Sequence, residues 1–597
     1  MRLSQKRFLL FICTAIVMTM TRCKKGLDFN NLSNLNPDLV WTDSTMIKSF
    51  LSSVYSGLMP GWPVTGANSD EAINKPKNMN DYLRGIISVS TTTSSLDYNY
   101  IDRLNYFLDK LSVTPDAVLA TSTNLRLTGE AKFWRAWAYW RMVNEIGGVP
   151  LILHTQQTED ASALFVPRNK TSECIAQMVR DLDSAALLLP GVYPNAASDY
   201  GRITKVAAMA FKGRVLLNYA SPRFNPDNDA ARWQNAYNAT KAAVDYGISQ
   251  GHGLYPNYRD IWYKERNQEV IMVNQYFYPN HPTDFGFIQP LSYNNNQPLL
   301  SLLLAYPKKD GTPMQFDKDQ LANPVYNTQF LTDFYMNRDD RFNYTIFCGG
   351  NPYVMELAPP YVKGQGFWVL WKYDATNKQY MNIMKTVHPG LDGILTSTGF
   401  YEVKGMDTTV TRTTGTQAQT DWPEIRFAEL LMNYGECANE LGKSNEALQV
   451  LYQVRKRAGI AAGASETYGI AAASQEQIRQ AYIAERFVEF AFENMRFNDL
   501  RRWKRFDILN SQGARHGLFI TIKEGEPMVT PNDVMTTPSV RAKFTANYID
   551  NLDGDPAYKY NLDLNHWFNA LPANQISQSK NVLTQNKEWG GTFDPLQ

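Results

Sequence analysis

RFAELLMNYGECANELG, residues 426–442, carries Phe427, Leu430, Leu431, Tyr434, Ala438 and Leu441 at three- and four-residue steps, the spacing of one apolar helix face. Gly442 stands where a left-handed C-terminal stop belongs. Ser444 is placed to cap a second helix, with Glu446 near its positive end and Leu448, Leu451, Tyr452, Arg455 and Ala458 leading to a stop at Gly459. Two helices joined by so tight a turn cannot bury their apolar stripes alone. They form the unit of a tetratricopeptide-like array, which needs neighbours stacked on it. A third helix is predicted to open at Ser474, in a capping box with Gln477, and to line up Ile478, Tyr482, Val488 and Phe492.

The charges on that third helix admit two readings. Glu485 and Glu489 fall on or beside its apolar face, where paired glutamates can share a proton or hold a metal. Arg486, Glu493, Arg496, Asp499, Arg501 and Arg502 crowd the same few turns. That surplus of arginine favours bidentate ion pairs clamping helices together over catalysis.

Working outward, helices are expected at residues 46–58, 101–111, 127–146, 171–189, 201–220 and 229–246. The segment GEAKFWRAWAYWRMVNEIGG, residues 129–148, is apolar on nearly every side and so should lie between other helices, with Arg135 and Arg141 as structural ion-pair formers. Residues 149–153 read as a short extended segment. From 254 to 420 the helical period gives way to β-like runs, such as 270–278 and 367–373, between Asn-, Gly- and Pro-rich loops. This stretch is too aromatic to be a disordered linker. The chain is therefore divided into a signal peptide (1–22), an N-terminal helical block (23–253), an irregular insertion (254–420), C-terminal helices (421–510) and an irregular closing segment (511–597), all in one intertwined body.

Composition excludes several functions. With 59 Lys plus Arg against 58 Asp plus Glu, no global field draws the chain to nucleic acid. The five cysteines are scattered and form no disulfide framework, and Cys437 reads as a small buried hydrophobe. No zinc-type His or Cys spacing, phosphate loop or nucleophile elbow occurs. Asp550, Asn551, Asp553 and Asp555 around Gly554 offer oxygen ligands, but not at EF-hand spacing. The 13 Trp and 33 Tyr exceed what a helical core needs, so some should face solvent or a ligand.

At the N-terminus, Arg2, Lys6 and Arg7 precede an apolar run, residues 8–20, too short to span a bilayer and suited to a signal peptide. Cys23 follows it, placed for lipidation. Arg22 stands where a small residue usually precedes a lipidated cysteine, so an ordinary signal peptide with an incidental Cys23 remains the alternative.

The segments at 426–442, 454–459 (VRKRAG) and 484–503 (AERFVEFAFENMRFNDLRRW) resemble the C-terminal signature of the SusD/RagB family, cell-surface glycan-binding lipoproteins of bacterial nutrient uptake. The resemblance extends to the start at Cys23, the polar stretch Asn68, Ser69, Asp70 and Glu71, residues 129–153, Asp340 to Phe342, Lys372 with Tyr373, and LPANQI at 571–576. It thus covers nearly the whole chain. It implies a mainly α, tetratricopeptide-like scaffold with a large irregular loop-rich insertion and few short strands. It also implies a non-enzymatic protein without cofactors, lipid-anchored at the outer membrane, that passes oligosaccharide to a SusC-like TonB-dependent transporter.

Two loop regions, 62–100 and 276–296, combine aromatics with Asp or Asn, the pairing that suits a sugar's apolar ring face and its hydroxyls. Trp62, Tyr98, Phe287 and Tyr293 are the expected stacking rings, and Asp70, Asn99, Asn294 and Asn295 the expected hydroxyl partners. The bland alternative is that these aromatics pin their loops to the body. Two other functions stand beside glycan capture: a glycan-degrading enzyme with carboxylates in the insertion, recognised by new reducing ends, and a helical-repeat protein adaptor, recognised by failure to be retained on glycan gels.

Overall fold

The computed structural model describes residues 37–156, 164–283, 285, 295–353, 356, 363–364, 371–383, 396–411, 413–526 and 537–597. The signal segment with Cys23, and three of the expected site residues, Phe287, Tyr293 and Asn294, lie outside them.

Helix α1 (Ser44–Leu58) begins where the Asp43 carboxylate accepts the Thr45 and Met46 N–H groups at 2.7 and 3.0 Å. Helices α2 (Asn99–Leu111), α3 (Thr121–Ile146), α4 (Thr171–Leu188), α5 (Lys205–Ala220) and α6 (Ala230–Ser249) follow. All six fall where the periodicity predicts them, with ends that differ by a few residues: α3 starts earlier, at Thr121, while Thr204 caps α5 and Asp229 caps α6 through side-chain oxygens. Phe133, Trp134 and Tyr139 of α3 are fully buried, as a helix without a polar face requires. Residues 149–153 form no strand, and buried Val149 instead exchanges bonds with Cys174.

The insertion is more regular than its sequence suggests. It holds α7 (Leu300–Ala305), α8 (Pro324–Met336) and α9 (Asp340–Thr345). The signal for α8 was present: the Asn323 side chain accepts the Val325 N–H at 2.9 Å and Pro324 occupies the first turn, a cap followed by proline. Strand β1 (Ala72–Ile73) pairs antiparallel with β3 (Gln297–Pro298), Ala72 opposite Pro298. Strand β2 (Val270–Asn274) pairs with β8 (Trp422–Arg426), Asn274 opposite Trp422, and closes the insertion at its mouth. Strand β4 (Ile346–Cys348) pairs with β7 (Phe400–Glu402). The closing segment, expected to be irregular, supplies β9 (Gly517–Ile522) and β10 (Phe544–Ile549) to a four-stranded sheet. Its order is β10–β9–β5–β6, with β5 (Trp371–Asp374) and β6 (Gln379–Asn382) coming from the insertion.

After β8 come α10 (Phe427–Glu440), α11 (Ser444–Arg457), α12 (Gln475–Glu489) and α13 (Arg496–Arg502). Gly442 has φ +73° and Gly459 φ +78°, the left-handed stops predicted for them. The Ser474–Gln477 capping box is formed. Ser444 is a correction: it is the first helical residue, and the cap position falls on Lys443, whose side chain makes no capping bond. Consecutive helices pack on one another from α3 to α6, α6 packs on α10, and α10 packs on α11 and α12. One apolar core therefore runs from Ile47 through Trp134 and Phe211 to Leu431 and Tyr482.

Candidate functional site

Both glutamates singled out in α12 are structural. Arg341 reaches Glu489 at 2.8 Å and Glu485 at 2.8 Å, Arg426 reaches Glu489 at 2.6 Å and Glu269 at 2.7 Å, and Arg455 reaches Glu485 at 2.7 Å. Arg457 joins through Glu269 and Glu489, and Lys404 through Glu493. Burial opposes ionisation of Glu489, but the guanidinium groups of Arg457, Arg426 and Arg341 outweigh it and hold the carboxyl well below the usual range. A carboxylate so chelated is neither a proton shuttle nor a nucleophile. The same logic reassigns Asp553 of the calcium-like run, whose carboxylate is buried and bound by Arg515.

The two loop regions do meet. The Trp62 ring lies parallel to Phe285 with centroids 4.6 Å apart and donates its Nε1–H to the Thr420 carbonyl at 2.9 Å. Behind it stands Gly405 at φ +67°, where a Cβ would lie 1.9 Å from the indole, so this close approach requires glycine. Asn274 Nδ2 donates to the Pro60 carbonyl at 3.0 Å, and Asn296 accepts the Gly66 N–H at 3.0 Å while donating to the Pro63 carbonyl at 3.3 Å. Trp62 is thus a half-buried wedge joining the loops, and Asn296 is a staple.

Beyond β2 the chain turns back in a short hairpin. Phe277 and His281 exchange backbone bonds of 2.8 and 2.7 Å, and the Tyr276 ring stacks on His281 at 4.7 Å. Residues 418–421 flank the hairpin: Asp421 Oδ1 accepts the Tyr276 N–H at 2.8 Å, Gln419 Oε1 the Tyr278 N–H at 3.2 Å, and the Ala418 carbonyl the Thr283 N–H at 3.0 Å. At its outer end Phe277 is 46% and Tyr278 52% exposed. Two adjacent open rings on a bonded base are what a stacking surface needs. Composition points to their loop but not to these two rings; the signal for them was the triplet Tyr276-Phe277-Tyr278 before Pro279, apolar residues running past the end of a strand.

The remaining expected residues divide. Asp70 is a correction: it is 1% exposed and its two oxygens bind Arg496 at 2.8 and 2.9 Å, so it has no oxygen turned to solvent. Tyr98 is half-buried, with its hydroxyl donating to the Pro150 carbonyl at 2.6 Å and its ring edge-on to Tyr139, which makes it a brace. Burial pushes its hydroxyl well above the usual tyrosine range. Asn99 is exposed in the first turn of α2 and lines a cleft of about 1070 Å³ with Pro60, Tyr100, Arg141 and Asn498. Asn295 is half-buried in the turn leading to β3. Arg135 makes the expected ion pair, with Asp181 at 2.8 Å. Arg141 makes none among the described residues and faces the cleft.

The model of the SusD family matches residues 261–589, and a second, described as starch-binding associating with outer membrane, matches residues 65–217. Among relatives, SusD-like protein P25 of Formosa agariphila is 24% identical over 445 residues, 70% of either chain. SusD-like protein P38 of the same organism is 20% identical over 83% of this chain and 90% of its own. A SusD-like carbohydrate-binding protein from Bacteroides fragilis superposes with a TM-score of 0.66 at 20% identity, over 91% of this chain and 99% of that one. A laminarin-binding SusD-like protein superposes with a TM-score of 0.51 at 19% identity, over 91% and 99%. At these identities the solved structures speak for the fold alone, but the first family model spans more than half of the chain, and the chain belongs to the SusD family.

Proposed function

We propose that this protein is a non-catalytic glycan-binding protein of the bacterial outer membrane, held there by lipid on Cys23, which passes oligosaccharide to a SusC-like TonB-dependent transporter. The observation that carries the reading is the exposed pair Phe277 and Tyr278 on a hairpin fixed by Trp62, Phe285 and residues 418–421. Sugar ring faces stack on the two aromatics; Asn294, Asn295, Phe287 and Tyr293, of which only Asn295 lies among the described residues, are kept as further contacts by their nearness in sequence. Trp62 serves as the foundation of the platform, and Asn99 contributes from the cleft. The family model described as starch-binding and the structural neighbour that binds laminarin name the first glycans to try.

The test is retention of the purified protein on native gels cast with soluble starch, laminarin and a panel of other β- and α-glucans, with reducing ends assayed in parallel. Retention without new reducing ends is expected. Release of reducing ends would move the protein to the enzyme reading. For the anchor, metabolic lipid labelling of the wild type and its loss in Cys23→Ala is expected; an unlabelled wild type removes the anchor.

A further inference from the structure

Asp421 sits one residue before β8, at the root of the hairpin that carries Phe277 and Tyr278. It is 7% exposed, and while Oδ1 accepts the Tyr276 N–H, Oδ2 is buried and has no hydrogen-bond partner among the described residues. Of the three contacts that fix the hairpin to residues 418–421, this is the one whose acceptor can change charge; Gln419 and the Ala418 carbonyl cannot.

Among the described residues the neighbours supply no dedicated counter-ion. Glu265 and Arg266, from the turn before β2, act on the carboxyl in opposite senses. The Arg266 guanidinium lies over the Tyr200 ring, whose hydroxyl accepts the Arg266 N–H. Asp407 accepts the Gln419 N–H, and Glu424, the next acid along β8, is turned to Arg214 at 2.8 Å. On the hairpin the ionisable groups are Tyr276 and His281, stacked on each other, and Tyr278 at the exposed end. Residues 60–66 bring no ionisable side chain.

We propose that Asp421 is the positioning residue of the glycan platform: as a neutral acid it holds the hairpin root, and on ionisation the hairpin loosens to let water reach the carboxylate. The proposal rests on the glycan-binding reading of this face. Burying an unpaired carboxylate is costly, and a short surface hairpin is the cheapest element to open. Burial pushes the Asp421 carboxyl up to about 7, against the Tyr276 N–H and ahead of the minor effect of Glu265. The closed hairpin therefore binds a proton more tightly than an opened one, where the carboxyl returns toward 3.8. Closure is fully favoured below about pH 4, weakens as pH rises toward 7, and changes no further above that.

The test is amide hydrogen exchange by mass spectrometry on the full chain without glycan, corrected for intrinsic rates, from pH 5 to pH 8. Protection of the segment holding Tyr276 to Thr283 should fall at least tenfold over that range, with the change complete near pH 7. In Asp421→Asn, which keeps the Oδ1 acceptor, protection should be independent of pH; in Asp421→Ala it should be low throughout. His281→Gln should keep the wild-type profile, which separates Asp421 from the stacked imidazole. A flat wild-type profile, or an Asn variant that retains the dependence, overturns the proposal. In a second arm, calorimetric affinities for soluble starch and laminarin at pH 5 and pH 8 should weaken with pH in the wild type and not in Asp421→Asn. A hairpin that follows pH while affinity does not would mean that the latch exists but the hairpin is not the glycan platform. A wild type that binds neither probe counts against the glycan reading, and the exchange profile still decides the latch.

Discussion

Around Glu489, guanidinium groups from three elements converge on one buried carboxylate, and Glu485, Glu269, Glu493 and Asp339 neutralise the same arginines and Lys404. Around Phe277, two rings stand half in water on a hairpin held by a handful of bonds to backbone, to the Gln419 amide and to the Asp421 carboxyl. The first region ties α9, β8, α11 and α12 into one unit, with Glu269, just before β2, included; every charge there needs all the others. The second region makes few demands on the fold and leaves its surface free for a ligand. On the proposed reading, stability and recognition rest on different side chains, and substitutions should separate them.

The largest effect is expected in the frame. Glu489→Gln removes the charge that Arg341, Arg426 and Arg457 share, and breaking a buried pair in this way costs roughly 3–5 kcal/mol. The denaturant midpoint should fall accordingly, with no activity lost. A variant of wild-type stability would make the network dispensable and dissolve the contrast.

Next comes a pH effect at the buried Glu71. Glu71 is 2% exposed and accepts the Phe492 N–H at 2.9 Å; burial, against that bond, pushes its carboxyl up to about 7. Since the folded form binds the proton more tightly than the unfolded one, stability from this group is complete below about pH 4.5 and lost as pH rises through 7. The loss is on the order of 3 kcal/mol. Glu71→Gln keeps an oxygen acceptor and should not show that loss, so chemical denaturation of both proteins at pH 4.5 and pH 8 ought to give stability differences that diverge. Parallel curves would mean that Glu71 ionises freely in the fold.

Trp62→Ala should have an intermediate effect and touch both regions. Removing a half-buried indole from between Phe285 and Gly405 should cost about 2 kcal/mol and also weaken glycan binding, because the wedge holds the two loops together. If stability alone changes, the hairpin does not depend on its foundation. The smallest effect on the fold is expected at the rings themselves. Phe277→Ala and Tyr278→Ala should leave stability within about 0.5 kcal/mol of wild type while each weakens binding by about 1–2 kcal/mol, near tenfold.

The contrast also explains what could be read in advance. The helices announce themselves through local signals, such as the stripe from Phe427 to Leu441, the Gly442 stop and the Ser474 box, and these hold because each is satisfied within a few residues. The ion-pair role of Glu485 and Glu489 was legible but their partners were not: Arg486, Arg496, Arg501 and Arg502 pair with Asp499, Asp70, Glu145 and Glu436, and the two glutamates are held by Arg341, Arg426, Arg455 and Arg457 from other elements. The two loops that composition singles out meet through Trp62 and Phe285. The roles of single residues were not legible. Asp70 looks like a loop acid, yet it is buried by Arg496, 426 residues away, and no spacing rule reaches that far. Trp62 reads as a platform until Gly405 and Phe285 close over its faces. Tyr98 reads as open until Pro150 takes its hydroxyl. Exposure is set by contacts between distant segments, and it decides which aromatics can meet a ligand.

The most direct measurement is isothermal calorimetry of the wild type and the Phe277→Ala/Tyr278→Ala double variant against soluble starch, laminarin and the best glycan retained on native gels, with melting temperatures recorded alongside. The wild type is expected to bind at least one of these, and the double variant to bind it tenfold or more weakly at an unchanged melting temperature. A double variant that binds as the wild type does, or a wild type that binds none of them, would contradict the glycan-platform reading.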